Sequence, residues 1–469
     1  MTSSPGSAAS RQVLGRGLLY TLGTAAPVLA NGVVIPFVTR AMDAPSYGIV
    51  AISVVLIQIG MIVAGLGLAA AITRHGILER SGVGGARSLV LRGALLSVAV
   101  CSAAATTSAG WAPPLGITDL HTALLALAAA AAFAVVVNAQ SYLRVLDRPG
   151  AFVLLSLTGA LGGPVLGVVL VRAWSPSAAV YIGSLMTGYV AAAALGLLLV
   201  IRGGPATHRV GDTRRALRVG LPTVPHQVAL YLAGGILVLV AGWVFGTTEA
   251  GRLQLAVLVG SAAGLLTASL NNAWAPVIYR TVPAERAVVL ERTGRDIAVL
   301  TSLAAGFVAV TAPFLLAIAA PPSFDPGAVT PATGLVAAGT VLSVPYLCNV
   351  HLVFVSGRSS GLMAVTPVSL ALGTVAAWAA AATIGLAATG VGMTVTYAAL
   401  AVGTQLLARH VSPTRWRWQS LLGPLLLGGA LCLAGAALPV DGWALGLRAV
   451  VGATLLAAGV ATLLRVRVR

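Results

Sequence analysis

The chain has 469 residues, of which 58% are hydrophobic and only 8% are charged. A soluble domain of this length cannot hide so much apolar surface from water, whereas a lipid bilayer solvates it directly. The formal net charge is +17, and all 28 residues of the Lys+Arg total are arginine. They lie in short connections between apolar runs, which is the positive-inside pattern and excludes nucleic acid as a partner.

Apolar runs long enough to span a membrane follow one another along the whole chain. A spanning helix needs about 20 mostly apolar residues. We identify fourteen such runs, which predict an all-α, polytopic membrane protein. In chain order the predicted spans are 17–38, 47–71, 89–110, 121–143, 151–171, 178–201, 219–245, 253–274, 297–320, 329–354, 361–384, 388–408, 420–438 and 443–464. The basic, polar start before the first span predicts a signal anchor that is retained.

The distribution of arginine predicts the topology. With fourteen spans and both ends on one side, 24 arginines fall on that side, and only Arg40, Arg172, Arg252 and Arg448 fall on the other. Cytoplasmic loops carry the excess of basic residues in membrane proteins. We therefore predict that both termini are cytoplasmic and that the connections are too short to hold an extramembrane domain.

The basic segment 202–218 divides the first twelve spans into two groups of six. Span two and span eight share a faint likeness, since each begins near a glycine after an acidic turn and ends with arginine. This fits the two-lobed repeat of alternating-access transporters. The predicted organisation is a cytoplasmic segment 1–16, an N-lobe 17–201, a cytoplasmic linker 202–218, a C-lobe 219–408, a cytoplasmic loop 409–419, spans thirteen and fourteen at 420–464 and a cytoplasmic tail 465–469.

Several kinds of chemistry have no residues to carry them. Without lysine there is no Walker A motif, and no H-E-x-x-H motif occurs. Cys348 and His351 have the spacing of half a metal site, but no second pair completes it, so buried packing is favoured. The eleven acids lie in loops or at helix ends, whereas exporters of cationic drugs commonly use a carboxylate within the membrane. The sequence therefore predicts no enzyme, no cofactor and an anionic cargo.

Polar residues within spans are candidates for a substrate cavity, because they are costly in lipid unless they face protein or water. The competing interpretation is that such groups only hold helices together. The candidates are Asn31 in span one, Gln58 in span two, His226 and Gln227 in span seven, and Gln254, Asn271 and Asn272 in span eight. By contrast, the stripe Gly159, Gly163 and Gly167 predicts close helix packing rather than chemistry.

Three arginines join the candidates. Arg40 and Arg252 lie in outer loops at equivalent places in the two lobes, where they could meet an anionic head group or simply anchor the outer leaflet. Arg74 ends span two and could meet the phosphates of an incoming lipid, although the positive-inside rule explains it as well.

Two segments resemble bacterial polysaccharide flippases of the multidrug/oligosaccharidyl-lipid/polysaccharide exporter superfamily. They are residues 40–74 and residues 217–280, with Leu221-Pro222 opening span seven, Ala250-Gly251 before span eight, and Ala273-Trp274 with Pro276 near its end. Residues 354–367 and 384–398 resemble the later spans of the family. The chain departs from the family in lacking a charged pair in span seven and in having Arg252 where an aromatic residue is usual.

The resemblance implies a V-shaped, two-lobed fold of about fourteen transmembrane helices in the bacterial plasma membrane. It implies alternating-access translocation of an isoprenoid-diphosphate-linked oligosaccharide or a related envelope polysaccharide precursor, with no covalent bond broken. Implied partners are the bilayer and the lipid-linked glycan, and polysaccharide assembly proteins stay open. The alternatives are a small-molecule or drug exporter of the same fold, a membrane-embedded polysaccharide polymerase or ligase, and a scaffold for an envelope assembly.

Overall fold

The computed structural model describes residues 30, 32–207, 209 and 211–468. Across these residues all regular secondary structure is helical. Twelve helical segments are long and apolar enough to cross a bilayer, and one bent pair makes a thirteenth if it forms a single span. The prediction of an all-α, multi-span membrane protein is confirmed.

The chain divides by its contacts into two compact units. Unit 1 consists of the described residues up to Met42 together with Ile52–Val228, and unit 2 consists of Asp43–Ala51 with the described residues from Ala229 onward. The helices of unit 1 are α1 (32–39), most of α2 (Ala44–Gly65), α3 (Leu68–Leu78), α4 (Gly82–Thr106), α5 (Ser108–Trp111), α6 (Leu120–Val145), α7 (Pro149–Ala173), α8 (Ala178–Ile201) and α9 (Asp212–Gly220).

Helix α10 (Val224–Phe245) begins in unit 1 and continues in unit 2. The other helices of unit 2 are α11 (Thr247–Gly260), α12 (Ala262–Arg280), α13 (Arg286–Val310), α14 (Ala312–Ala319), α15 (Thr330–Val355), α16 (Leu362–Thr383), α17 (Val391–Val411), α18 (Leu422–Ala437) and α19 (Gly442–Val468). Helices α11 and α12 meet at a bend of 42°.

The described spans follow predicted spans two to fourteen in order. Predicted span one covers 17–38, most of which lies outside the described residues, so the count of fourteen stays a prediction. The cytoplasmic placement of both ends and the boundaries of the lobes stay predictions as well. The predicted linker 202–218 contains most of α9, a helix that its polar sequence did not indicate.

The glycine stripe of α7 packs against α8, as predicted. A Cβ added to Gly163 would lie 2.8 Å from the Cα of Leu185, and one added to Gly188 would lie 2.2 Å from the nitrogen of Gly163. A Cβ on Gly167 would collide with the ring of Tyr181 at 2.6 Å. Small residues let helix backbones approach closely within a bilayer, so this stripe holds the helix pair together.

A fully buried arginine joins the ends of two helices in unit 2. Arg448 donates from Nε to the carbonyl of Pro439 at 3.0 Å, from Nη1 to that of Val310 at 2.9 Å and from Nη2 to that of Gly435 at 2.9 Å. Val310 ends α13, and Gly435 lies in the last turn of α18. The carbonyls at helix C-termini carry partial negative charge, so one cation satisfies both ends.

Candidate functional site

The span that contains α2 and α3 breaks between them. Leu66 and Gly67 have left-handed φ angles of 52° and 65°. The break packs against the end of α9, since a Cβ added to Gly67 would lie 2.1 Å from the carbonyl oxygen of Gly220. A Cβ added to Gly220 would lie 2.7 Å from the oxygen of Leu66. Only glycine at both positions allows this approach, which anchors the chain leading into α10 next to α3.

A cavity of about 590 Å³ lies beside this contact, within unit 1. We call it the α3 cavity. Its lining comes from three helices: Ala69, Ala70, Thr73, Arg74, Ile77 and Leu78 of α3, Arg144 of α6 and Gln227 of α10. Two of the residues predicted from the sequence, Arg74 and Gln227, therefore share one cavity. No acidic residue is among those that line it.

The two arginines of the α3 cavity are held differently. The Nη1 atom of Arg74 lies 2.9 Å from the Oε1 atom of Glu79, and half of the Arg74 side chain is exposed. Arg144 donates from Nη2 to the hydroxyl of Ser141 at 2.8 Å, and its guanidinium lies 5.6 Å from the centre of the Phe152 ring. Both guanidinium groups line the cavity, and because an exposed ion pair contributes little stability, an anionic ligand can replace Glu79 as the partner of Arg74.

The neutral polar groups of the cavity come from the start of α10. Gln227 donates from Nε2 to the Thr223 hydroxyl at 2.9 Å, and that hydroxyl donates to the carbonyl of Gly220 at 2.7 Å. The chain of hydrogen bonds runs back to the glycine contact with the α2–α3 break. The same backbone feature that brings α10 to α3 thus fixes the side chain of Gln227.

The rest of the α3 cavity is apolar. Ala69 and Ala70 form one wall. Ile77 and Leu78, which are 66% and 69% exposed, lie at the C-terminal end of α3. Guanidinium groups bind phosphate through paired N–H donors, while apolar side chains accommodate a hydrocarbon chain. Among the described residues there is no group of three or more side chains that could hold a metal ion. The arrangement fits an anionic head attached to an apolar tail.

Arg40, Gln58 and His226 are not among the described residues that line the α3 cavity. Asn31 lies outside the described residues. Arg40 is exposed and donates to the carbonyl of Pro36 at 2.7 Å. Gln58 is half-buried in α2, and His226 is half-buried beside Gln227 in α10. Their contact with substrate stays a prediction.

The candidates of span eight lie in unit 2 and are spread along α11 and α12. Arg252 pairs with Glu249 at 2.7 Å, and each of these side chains is 23% exposed. Gln254 is half-buried, and Asn272 is exposed. Asn271 has a buried Oδ1 atom without a hydrogen bond. None of these four residues is among the described residues that line the α3 cavity.

Arg144 is the cavity residue that sequence reasoning missed as a candidate. In the sequence it reads as one of the basic residues that mark the inner side of the membrane. Ser141, three residues earlier on the same helix face, is a local hydrogen-bond partner that the spacing in the sequence could have indicated. Hydropathy does not reveal which helices are neighbours, so the convergence of α3 and α6 could not be read from it.

The basic segment after α8 is docked onto unit 1 by buried polar groups. Nε2 of His75 lies 2.6 Å from the Ser81 hydroxyl, which donates to Oδ2 of Asp212 at 3.2 Å. The carboxylate of Asp212 also pairs with Arg215. Arg87, only 3% exposed, donates to the hydroxyl of Tyr142 at 2.6 Å. The contacts of Asp212 fix α9, and with it the glycine contact beside the α3 cavity.

Span eight resembles span two in sequence, and its arginine end is packed with aromatic side chains. Trp274, 4% exposed, donates from Nε1 to the Thr293 hydroxyl at 2.7 Å. The ring of His351 lies 4.9 Å from the ring of Trp274 and 5.6 Å from that of Tyr279. We call these four residues the Trp274 cluster. Cys348, on the same helix as His351, is fully buried.

Comparison with known proteins places the chain in a family. The model of a family described as "Polysaccharide biosynthesis protein" matches residues 14–282, more than half of the sequence. The chain belongs to this family. No curated protein matches it in a sequence search.

Solved structures with the same fold include a multidrug resistance transporter and a lipid flippase. A multidrug resistance MATE family transporter of the MOP superfamily, in its inward-facing conformation, has a TM-score of 0.60 at 17% identity, and the match covers 82% of this chain and 94% of that one. The lipid II flippase MurJ, in an inward closed conformation, has a TM-score of 0.64 at 11% identity, with 96% of this chain and all of that one covered. The chain therefore has the fold of these two proteins, and the resemblance seen in its sequence is confirmed.

Proposed function

We propose that this member of the polysaccharide biosynthesis family is a flippase. Its cargo is an isoprenoid-diphosphate-linked oligosaccharide or a related precursor of a cell-envelope polysaccharide, which it moves across the bacterial plasma membrane by alternating access. The observation that carries the proposal is the α3 cavity, in which Arg74, Arg144 and the amide of Gln227 meet beside an apolar wall.

The chemistry of the cargo matches the groups of the cavity one by one. The diphosphate accepts hydrogen bonds from the two guanidinium groups, which pair with phosphate oxygens bidentately. The amide of Gln227 reaches a sugar hydroxyl or a phosphate oxygen. The isoprenoid tail stays beside Ile77 and Leu78 and in the surrounding lipid. No covalent bond changes, because the protein supplies only a path and a difference in affinity between its two states.

The lining of the cavity separates this proposal from export of cationic small molecules. The MATE transporters that share the fold support an exporter as a second candidate. A cationic drug needs a carboxylate or an aromatic face within its site, however. The lining of the α3 cavity includes two arginines and no acid, which disfavours such a cargo. The expected partners of the protein are the bilayer, the lipid-linked glycan and proteins of polysaccharide assembly.

Translocation in liposomes tests the proposal. The purified protein is reconstituted with a fluorescent isoprenoid-diphosphate-linked oligosaccharide, and the fraction that reaches the outer leaflet is followed by quenching from outside. We expect protein-dependent movement that Arg74→Gln combined with Arg144→Gln reduces by about 100-fold, since each charge-assisted contact contributes roughly tenfold. Arg358→Gln, an exposed arginine outside the cavity, is the matched control and should transport normally. No movement with a range of glycans would rule the proposal out.

A further inference from the structure

The ion pair between Arg74 and Glu79 lies at the edge of the α3 cavity. Their side chains are 50% and 28% exposed, and the Nη1 and Oε1 atoms are 2.9 Å apart. Across the described residues the carboxylate of Glu79 makes no other hydrogen bond or ion pair. The ion pair therefore joins Arg74, which is proposed to bind phosphate, to one carboxylate of the protein itself.

The backbone at the end of α3 sets the position of Glu79. Its N–H donates to the carbonyl of His75 at 3.1 Å, and its own carbonyl accepts from the N–H of Gly82 at 2.9 Å. Glu79 is thus the residue at which α3 ends, and its side chain reaches back five positions to Arg74. Because main-chain bonds fix this residue, the carboxylate returns to the same place whenever Arg74 is free.

We propose that Glu79 is an internal competitor for Arg74 that promotes release of the cargo. This inference rests on the proposed function. When a diphosphate binds, Arg74 exchanges the carboxylate for phosphate oxygens. When the head group begins to leave, the carboxylate recaptures Arg74 and lowers the affinity for the departing anion. Such release helps a transporter, because a head group held by charge-assisted hydrogen bonds to Arg74 would otherwise leave slowly.

Competition between Glu79 and a ligand for Arg74 predicts measurable changes in affinity and transport. Any ligand that must displace Glu79 binds more weakly by the factor that the ion pair contributes, which for a partly exposed pair is up to about fivefold. Removing the carboxylate should tighten binding and slow dissociation by that factor. Maximal transport should fall as the affinity rises, so KM and kcat decrease together. A residue that only stabilises the fold would not change KM and kcat in this way.

Binding of farnesyl diphosphate to the purified full-length protein tests the role of Glu79. We expect Glu79→Gln to lower the Kd by up to about fivefold through a slower dissociation rate. Glu79→Asp keeps the charge and should stay closer to the wild-type protein. Glu285→Gln, which removes an exposed acid outside the cavity, should change nothing. The thermal unfolding midpoint of each variant shows whether the fold is intact.

A double-mutant cycle separates competition from general repulsion. In the Arg74→Gln background, Glu79→Gln should have no further effect on the Kd, because the carboxylate acts by occupying that guanidinium. An equal tightening in both backgrounds would overturn the proposal, as would an unchanged Kd in a Glu79→Gln protein that folds. Failure of the wild-type protein to bind farnesyl diphosphate at all would instead refute the proposed function.

Discussion

The α3 cavity of unit 1 and the Trp274 cluster of unit 2 occupy corresponding ends of two related spans. Counted back from the terminal arginine of each span, Thr73 corresponds to Tyr279. Thr73 lines an open cavity of about 590 Å³, while Tyr279 packs against the buried ring of His351. Small residues leave room for a ligand at one end, and aromatic residues fill the space with protein at the other. The end of span two therefore lines an open cavity, whereas the similar end of span eight is filled by aromatic packing.

The largest expected effect comes from the glycine contact that forms the cavity. Gly67→Ala places a Cβ 2.1 Å from the oxygen of Gly220 at a left-handed φ. We expect a loss of about 3 kcal/mol in the free energy of unfolding, because both backbone strain and a collision must be relieved. The same substitution should abolish binding of farnesyl diphosphate. Gly150→Ala, where an added Cβ meets nothing within 4 Å, is the control, and equal stability of the two variants would contradict the assignment.

Corresponding arginines test the comparison directly. Arg74→Gln should weaken farnesyl diphosphate binding by about tenfold, because a charge-assisted phosphate contact is lost. Arg280→Gln changes the corresponding residue of unit 2, which is exposed at the end of α12 next to the packed cluster. It should leave the Kd within about twofold of the wild-type value. Calorimetry measures the Kd of both variants. An equal loss of affinity in the two would show that the ends of spans two and eight do not differ in ligand binding.

The Trp274 cluster should respond in stability rather than in binding. Trp274→Phe keeps an aromatic ring beside His351 but removes the donor to the Thr293 hydroxyl. We expect a loss of about 1 kcal/mol in the free energy of unfolding, the usual contribution of one hydrogen bond. The Kd for farnesyl diphosphate should not change. A weaker Kd with unchanged stability would place ligand binding in unit 2 and reverse the comparison.

The smallest effect concerns the start of α6, the helix that carries Arg144. Asp119 caps this helix, and the hydrogen bond from the Thr122 hydroxyl holds the pKa of the Asp119 carboxyl below its ordinary value. A carboxyl with a lowered pKa stabilises the fold at pH values above its ordinary pKa, and this contribution is lost as pH falls through the folded-state pKa.

The unfolding midpoint measured from pH 7 to pH 3 tests this cap. Asp119→Asn still caps α6 but does not titrate. The unfolding midpoint of this variant should therefore fall less steeply with acid than that of the wild-type protein. Binding of farnesyl diphosphate at pH 7 should be equal in both proteins, since the cap is at the far end of α6 from Arg144. Parallel acid profiles would show that Asp119 does not contribute.

The sequence predicted what depends on composition along the chain. Runs of about 20 apolar residues identify spans because the bilayer imposes that length. The α7 glycines were correctly assigned to packing, since small residues have that general role in membranes. Arg74 was chosen as the arginine that ends span two and Gln227 as a polar residue within span seven, and the structure brings them to one cavity.

Features that depend on which helices are neighbours could not be predicted in the same way. Arg144 and Arg448 look alike in the sequence, as arginines next to or within apolar runs. One lines the α3 cavity, while the other is fully buried against the carbonyls that end α13 and α18. Asp212 likewise looked like a loop acid, yet it is buried with His75 and Ser81 from a distant part of the chain. Side-by-side packing of helices decides these roles, and hydropathy carries no information about it.

A structure of the protein with a bound isoprenoid diphosphate tests the central claim most directly. Density for the ligand in the α3 cavity, with phosphate oxygens within hydrogen-bonding distance of the guanidinium groups of Arg74 and Arg144 and with the Arg74–Glu79 pair opened, is the predicted result. Phosphate density away from both arginines, with the ion pair of Arg74 and Glu79 intact, would contradict it.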